Sequence, residues 1–276
     1  FNQYYRNDEV ITYDCFKPLF ENGNAGEARQ VLGYCKPFFR RSFSVLAKGS
    51  IRLFPNDGIV ADERGYSVIA VKNDIRDLYR LAYGQPFFNE LVQRSNILPL
   101  PISRIILKVR DSTRFVQMVN GEFQNDSLYS YQYISFSPIR EGELQSQMRR
   151  DLDQYIGLKA RWEKRKLKCL VLTAKDTDLI KYKKGGVEQW IDDYKILINR
   201  ISMSYFIHRL ETTTKYYYSS YPIIDETGFK GKLGYIHSEF PVGDVQLFNK
   251  ALGAYSLHLS LEEREIRMLV LTEPDF

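Results

Sequence analysis

"LDQYIGLKARWEKRKLKCLVLT", residues 152–173, has a close counterpart near the end of the chain, "LGAYSLHLSLEEREIRMLVLT", residues 252–272. Aligned without gaps, residues 158–173 and 257–272 share seven identities in sixteen positions: Leu, Glu, Arg and the closing Leu-Val-Leu-Thr. Apolar alternation alone gives about two or three such identities by chance. We therefore interpret the two stretches as corresponding parts of an internal duplication.

The same order of elements extends upstream of both stretches. "YSVIAVKNDIRDLYRLA", residues 66–82, lies over "YKILINRISMSYFIHRL", residues 194–210, at a constant offset, and each predicts a strand followed by a helix. Asp74 and Ser202 occupy the same place in the two copies. Both predict helix N-caps, because a side-chain oxygen there accepts hydrogen bonds from free amides of the first turn.

Each copy closes with a helix and a strand pattern. Gly157 predicts the end of the first of these helices. Asp244 predicts the N-cap of the second, which carries Phe248, Leu252 and Tyr255 on one face. "LKARWEK" and "LKCLVLT" predict a hairpin with the charged tip "EKRK", and "LHLSLEE" with "IRMLVLT" predicts another.

These patterns predict an α+β fold made of two tandem copies of a two-layer β-α-β-β-α-β-β unit. Helices would cover one face of antiparallel or mixed sheets. We expect an irregular N-terminal arm or linker over residues 1–40, a first repeat over 41–175 and a second over 176–276. The sequence leaves open whether the two sheets merge into one.

Composition indicates a globular domain. The 39 basic and 34 acidic residues are interspersed, so the net charge of +5 does not predict a nucleic-acid partner. No apolar run approaches the roughly 20 residues of a membrane helix. Of the three cysteines, Cys169 lies in an apolar strand and is expected to be buried. Cys15 and Cys35 are candidates for a disulfide if the compartment is oxidising.

No motif predicts catalysis, and no cofactor or metal is predicted. The chain contains no CxxC, GxSxG, Walker loop or GxGxxG. "DETG" differs from the Asp-Thr-Gly of aspartic proteases by an inserted Glu, so Asp225, Thr227, Gly228 and Gly231 predict a structural turn. The spacing of the histidines, His208, His237 and His258, does not predict a metal site.

A tyrosine-rich segment is the candidate binding site. "KYYYSSYP", residues 215–222, contains four tyrosines, and tyrosine combines a large contact area with one polar tip. The alternative is that alternate tyrosines are core and the others lie on the sheet rim. We expect Trp162 to cover the sheet and Trp190 to cap a short helix. The candidate binding residues are Tyr216, Tyr217, Tyr218 and Tyr221.

Three stretches carry a family resemblance. "AYG" at 82–84, "LDQYIGLK" at 152–159 and "PIIDETGFKG" at 222–231 come in the order seen in an uncharacterised bacterial domain family, the soil-associated protein family. The chain resembles this family over about residues 40–276. "YDCFKPLFENGNAG", 13–26, resembles the connector found where this domain follows a TlpA-like thioredoxin module in envelope proteins.

The resemblance implies a domain with no assigned activity in the periplasm or cell envelope. It implies contact with a membrane only through a missing anchor or parent protein. The thioredoxin Cys-x-x-Cys is absent, so redox chemistry is not carried over.

Together these features predict a non-catalytic module that binds a protein or peptide partner, with open strand edges as one route. The alternative is an accessory domain that presents disulfide substrates to an absent thiol-disulfide oxidoreductase module. A third hypothesis is an unrecognised hydrolase, which would require a deep pocket with converging polar groups.

Overall fold

The structure, a computed structural model, describes residues 2–6, 9–13, 43–48, 60–61, 67–89, 94–115, 118–119, 122–123, 128–134, 141–192, 194–213, 220–239 and 244–274. Within them the chain is α+β, with four α-helices and antiparallel and mixed sheets. None of the described helices has the length and apolar character needed to cross a membrane.

The elements follow one another in this order: β1 Asn2–Arg6, β2 Glu9–Tyr13, β3 Phe43–Lys48, β4 Val60–Ala61, β5 Ser67–Asn73, α1 Ile75–Ala82, β6 Gln85–Asn89, β7 Arg94–Leu98, β8 Ile105–Lys108, β9 Met118–Val119, β10 Glu122–Phe123, β11 Tyr129–Ile134, α2 Glu141–Ile156, β12 Lys159–Ala174, β13 Glu188–Ile191, β14 Ile196–Asn199, β15 Ile201–Ser202, α3 Met203–Thr213, β16 Ile223–Asp225, β17 Lys232–Leu233, β18 Ile236–Ser238, α4 Val245–Gly253 and β19 Leu257–Thr272.

The chain divides into two compact units. Unit 1 contains residues 1–87 and 109–158, and unit 2 contains residues 88–108 and 159–276. This division does not follow the boundary at residue 175 that the sequence predicts for the two copies. The reason is that β12, which lies before this boundary, pairs along its whole length with β19, which lies after it.

Unit 1 contains a four-stranded antiparallel sheet in the order β3-β11-β5-β4. The helices α1 and α2 pack on each other through buried side chains that include Leu78, Met148 and Leu152. Arg149 and Gln145 of α2 donate to the carbonyls of Ala82 and Gly84 at the end of α1, at 2.7 and 2.8 Å. The second helix thereby satisfies carbonyls that the end of the first leaves unpaired.

The N-terminal arm is not irregular throughout, since β1 and β2 pair as an antiparallel hairpin between Asn2 and Tyr13. The rest of the arm lies outside the described residues.

Unit 2 is organised around a mixed sheet in the order β16-β12-β19-β8. β12 and β19 are single strands of sixteen residues each and pair antiparallel from Lys159 opposite Thr272 to Ala174 opposite Leu257. The two predicted hairpins are therefore wrong, and the two similar stretches are neighbours in one sheet. Their charged centres pair across the strands, with Lys164 3.1 Å from Glu265 and Lys166 3.1 Å from Glu263.

Short parallel strands flank this ribbon, with β16 beside β12 and β8 beside β19. On one face a small apolar cluster connects all four strands: Ile106, Leu167, Cys169, Ile224, Ile266 and Met268. Helix α4 is fixed to β19 by Asn249, whose amide group bonds both the carbonyl and the amide of Leu259 at 2.8 Å. Cys169 is buried and free, as expected for a small apolar side chain.

The predicted helix caps are confirmed. The Asp74 carboxylate accepts from the Asp77 amide at 2.7 Å, and the Ser202 hydroxyl accepts from the Tyr205 amide at 3.2 Å. Asp244 caps α4 in the same way. Gly157 has a φ of +74° directly after α2, a conformation that glycine adopts without strain.

Candidate interaction surface

Most of the predicted tyrosine site lies outside the described residues. This applies to Tyr216, Tyr217 and Tyr218, whose binding role stays a prediction. Tyr221 is half-buried immediately before Pro222, whose carbonyl accepts from the Leu170 amide at 3.0 Å. Tyr221 therefore lies where the chain enters β16, and its binding role stays a prediction.

The "DETG" segment has the geometry of a local turn. One carboxylate oxygen of Asp225 accepts from the amide and the hydroxyl of Thr227 at 3.0 and 2.6 Å. Gly228 follows with a φ of +70°. Gly231 lies so close to Phe229 that a Cβ atom there would be 2.8 Å from the ring. These contacts use the side chains of Asp225 and Thr227 within the turn, whereas the Glu226 carboxylate accepts from Arg264 of β19 at 2.7 Å.

The other predicted residues are dispersed. Cys15 and Cys35 lie outside the described residues, so their pairing stays a prediction. His208 is on α3, His237 on β18 and His258 on β19, where it is exposed. In the part of the chain that the structure describes, no group of three or more His, Cys, Asp or Glu side chains is placed to hold a metal ion.

The buried ionisable groups of unit 1 connect helix α2 to its neighbours. The Tyr131 hydroxyl donates to Asp151 at 2.6 Å, and the Tyr79 hydroxyl donates to Asp153 at 3.1 Å. Burial raises the pKa of both tyrosines, and the neighbouring carboxylates raise it further. Both phenols are therefore protonated donors at neutral pH, a structural and not a nucleophilic role.

In unit 2 the buried carboxylate is Glu211, at the end of α3. It accepts from the Ile223 amide at 2.8 Å and lies 3.5 Å from the Arg104 guanidinium. Arg104 in turn donates to the Ile223 carbonyl at 2.7 Å. The pair holds the first residue of β16 in place, which is again a structural role.

The three-stranded sheet β13-β14-β18 of unit 2 presents aromatic side chains to solvent. Trp190 lies opposite Leu197, and Leu197 lies opposite His237, so the three form one row across the sheet. Tyr235 lies two residues before His237 along the chain. Tyr194 lies in the turn between β13 and β14. Trp190, Tyr194 and Tyr235 are 59%, 72% and 54% exposed. We call this set of five residues the aromatic face.

Hydrogen bonds fix the aromatic face. The Trp190 indole donates to Asp192 at 2.7 Å, and the amides of Tyr194 and Lys195 donate to the other carboxylate oxygen of Asp192 at 2.9 and 2.7 Å. The Tyr194 amide and the Trp190 indole hold the pKa of the Asp192 carboxyl below its usual range. Because the carboxylate stays ionised, it anchors the indole and the turn together.

The opposite face of this sheet is core. Ile191, Ile196, Ile198 and Ile236 are buried, and helix α3 packs on β13. Tyr205 of α3 donates to Gln189 of β13 at 2.8 Å. The buried face of the sheet therefore packs on helix α3 and the core, and this packing fixes the position of the aromatic face on the other side.

The outer edge of β18 is bonded by a side chain. The His237 amide donates to the Tyr255 hydroxyl at 2.9 Å, and this hydroxyl donates to the His237 carbonyl at 3.1 Å. The sequence predicts Tyr255 on the apolar face of α4, and this prediction is wrong. Helix α4 ends at Gly253, and Tyr255 follows in a turn. Its phenol thus occupies the place of one residue of a neighbouring strand.

Sequence reasoning missed this surface. Trp190 was expected to cap a short helix, but it lies on strand β13. The available indication was "VEQWIDDYKILIN", in which two alternating segments flank an Asp-containing turn. Trp162 lies on the sheet as expected, 37% exposed, with the Arg267 guanidinium 5.1 Å from its ring centre.

No protein-family model, no curated protein and no solved structure matches this chain.

Proposed function

We propose that the chain is a non-catalytic module that binds a protein or peptide partner on the aromatic face of the β13-β14-β18 sheet. The observation that carries this proposal is the row of Trp190, half-buried Leu197 and His237, flanked by two exposed tyrosines. Tryptophan and tyrosine dominate binding energy in protein interfaces, because they bury a large area and lose little conformational entropy.

The rim of the aromatic face suits such an interface. Lys195 lies 3.9 Å from Glu239, and both side chains are solvent-exposed. Charged groups around an apolar centre are typical of protein interfaces, in which the rim stays hydrated and the centre becomes dry. The Trp190–Asp192 bond reduces the entropy that the indole would lose on binding.

A duplication origin of the fold belongs to the same proposal. In the gapless alignment Leu170 corresponds to Leu269, since both numbers differ by the same 99 residues as 158 and 257. Ile223 of β16 pairs with Leu170, and Ile105 of β8 pairs with Leu269. The two flanking strands therefore begin at corresponding positions of β12 and β19. This register supports two tandem copies of one β-α-β-β-α-β-β unit.

The setting of the module follows the family resemblance. We propose that it works in the periplasm or cell envelope, as the C-terminal part of a thioredoxin-like protein. An accessory role in presenting disulfide substrates remains the alternative, and deleting residues 40–276 from such a parent would then lower its reductase rate on protein substrates.

The binding proposal is tested with a displayed library of random peptides selected on the full chain. We expect selected peptides to lose about 30-fold or more in affinity for Trp190→Ala, as for an interface hot spot. Tyr155→Ala is the matched control, because Tyr155 is 52% exposed on α2 in unit 1. If no peptide is selected, or if all bind Trp190→Ala and Tyr235→Ala as tightly as the control, the proposal is wrong.

A further inference from the structure

Two strands that occupy corresponding places have different numbers of neighbours. Ala70 of β5 aligns with Ile198 of β14, and these residues pair with Tyr131 of β11 and Ile236 of β18, respectively. β11 therefore corresponds to β18. The edge of β11 that faces away from β5 is occupied by β3, which runs antiparallel to β11 over six residue pairs. Among the strands that the structure describes, β18 pairs only with β14.

At His237 the backbone hydrogen-bonding groups of β18 point to this side, on which none of the described strands lies. In an antiparallel strand the amide and carbonyl of one residue point to the same neighbour. Both groups of His237 contact the Tyr255 hydroxyl, so both face away from β14. A single phenol satisfies them where a strand would otherwise do so. The contact is solvent-exposed, and the Tyr255 side chain is only half-buried.

We propose that the outer edge of β18 is a strand-acceptor site for an extended peptide segment of a partner protein, and that Tyr255 keeps the site closed until the segment displaces its hydroxyl. The segment pairs antiparallel to β18, as β3 pairs with β11. This inference rests on the proposed peptide-binding function and names where the peptide backbone pairs.

Strand addition at this edge complements the aromatic face. Side chains alternate between the two faces of a strand, so every second side chain of the added segment lies beside His237 and Tyr235. Main-chain hydrogen bonds would supply affinity, and the aromatic neighbours would select apolar or aromatic side chains at alternate positions. Displacing Tyr255 lowers the apparent affinity, because only the open fraction of the protein binds.

The probe is a fluorescently labelled synthetic peptide with the sequence "SFSVLAKG", residues 42–49, which contains the strand that fills the corresponding edge in unit 1. Its binding to the full chain is measured by fluorescence anisotropy. We expect Tyr255→Phe to tighten binding about five- to tenfold, because the phenylalanine ring no longer satisfies the His237 backbone. Protection of the His237 amide from hydrogen exchange locates the peptide at this edge.

His237→Pro tests the edge directly. A proline is tolerated in an edge strand when its nitrogen faces away from the neighbouring strand, so pairing with β14 is retained. We expect the peptide to bind this variant at least tenfold more weakly, whereas the control Tyr155→Ala, on α2 of unit 1, stays within about threefold of wild type.

A second measurement does not depend on the folding of any variant. Two forms of the peptide carry N-methyl groups on alternate backbone amides. One form is methylated at the odd-numbered residues and the other at the even-numbered residues. Only one set of amides faces β18, so one form should lose binding to the wild-type protein and the other should retain it.

The edge proposal is overturned if both methylated forms bind equally, if Tyr255→Phe binds no tighter, or if the peptide does not bind at all. In each of these cases the aromatic face stands if library-selected peptides still depend on Trp190. If instead selected peptides ignore Trp190 while His237→Pro and Tyr255→Phe behave as expected, the aromatic-face proposal fails and the edge remains.

Discussion

The sheets of the two units solve the same edge problem in different ways. In unit 1, β11 is enclosed by β5 on one side and β3 on the other. In unit 2, β18 has β14 on one side and the Tyr255 hydroxyl on the other. An unpaired strand edge invites association with other chains, and proteins commonly cover it. A side chain covers fewer backbone groups than a strand does, so the edge of unit 2 is the easier one to open.

Helices α1 and α3, which follow β5 and the β14-β15 segment, also end differently. The last carbonyls of α1 accept from side chains of α2, whereas the end of α3 carries the buried pair of Glu211 and Arg104. The aligned position in α1 is Tyr83, whose ring lies under the Arg149 guanidinium at 4.4 Å. At these aligned positions α1 thus has a cation on an aromatic ring, and α3 has an ion pair with a buried carboxylate.

The largest expected effect concerns this ion pair. Glu211→Ala removes the carboxylate that is bonded to the Ile223 amide and leaves Arg104 without it. We expect the free energy of unfolding to fall by about 3 kcal/mol, because the buried Ile223 amide loses its acceptor and the half-buried Arg104 guanidinium loses its carboxylate partner. Thr212→Ala, on the exposed side of the same turn, should change it by less than about 0.5 kcal/mol. Urea denaturation measures both, and equal values for the two variants would contradict the prediction.

The same carboxyl predicts a dependence on pH. Burial raises the pKa of Glu211, although Arg104 and the Ile223 amide act to lower it. The folded protein therefore keeps the proton to higher pH than the unfolded chain, whose glutamate titrates near about 4.3. Stability from this group is fully present below that pH and is lost as pH rises through the folded-state pKa. Wild type should lose stability relative to Glu211→Gln over this range, and a gain would refute the prediction.

The next effect tests a close backbone approach found in unit 2. Gly234 donates to the Ile180 carbonyl at 2.7 Å, and a Cβ atom there would lie 2.8 Å from the Lys181 carbonyl oxygen. We expect Gly234→Ala to destabilise the protein by about 2 kcal/mol through overpacking.

The control is Gly253→Ala at the end of α4, where a Cβ atom would meet nothing within 4 Å. Thermal unfolding should show little change for this variant. A Gly234→Ala protein as stable as wild type would mean that the Lys181 backbone does not pack closely on Gly234.

A smaller effect compares the two corresponding helix caps. Asp74→Ala and Ser202→Ala each remove an acceptor for a first-turn amide, which typically destabilises a protein by about 1 kcal/mol. Asp74 should matter more, because it is charged and almost fully buried and its hydrogen bond is shorter. Chemical denaturation checks the order of the two, and a larger effect of Ser202→Ala would be inconsistent with corresponding roles.

The smallest effect is expected at the centre of the β12–β19 ribbon. Lys164 and Glu265 are 73% and 61% exposed, so solvent screens their attraction. A double-mutant cycle with alanine at both positions should give a coupling below about 0.5 kcal/mol. A coupling above about 1 kcal/mol would show that the charged centre contributes to stability and does not only set the register.

Local signals in the sequence predicted local structure well. Asp74, Ser202 and Asp244 cap helices as expected, because an N-cap depends on residues only two or three positions away. Gly157 follows the end of α2 for a similarly local reason. The helical periods and the α+β class follow from the same short-range patterns.

Long-range pairing was not accessible in the same way. The sequence predicts a hairpin tip at "EKRK", although this segment contains none of the glycine, asparagine or proline that such turns favour. Its lysines pair instead with Glu263 and Glu265 of β19, a strand that lies far from β12 along the chain. The bond between Tyr255 and His237 joins residues on different elements, so no local pattern announces it.

The ribbon also has a consequence for the order in which the protein forms on the ribosome. β12 is complete at Ala174, but its partner is complete only at Thr272, 98 residues later (272 − 174). At roughly 5–20 residues per second, about 5–20 s of translation separate the two events. During this interval the sixteen-residue strand β12 lacks its antiparallel partner β19, so its backbone is open to pairing with other chains until the last strand emerges.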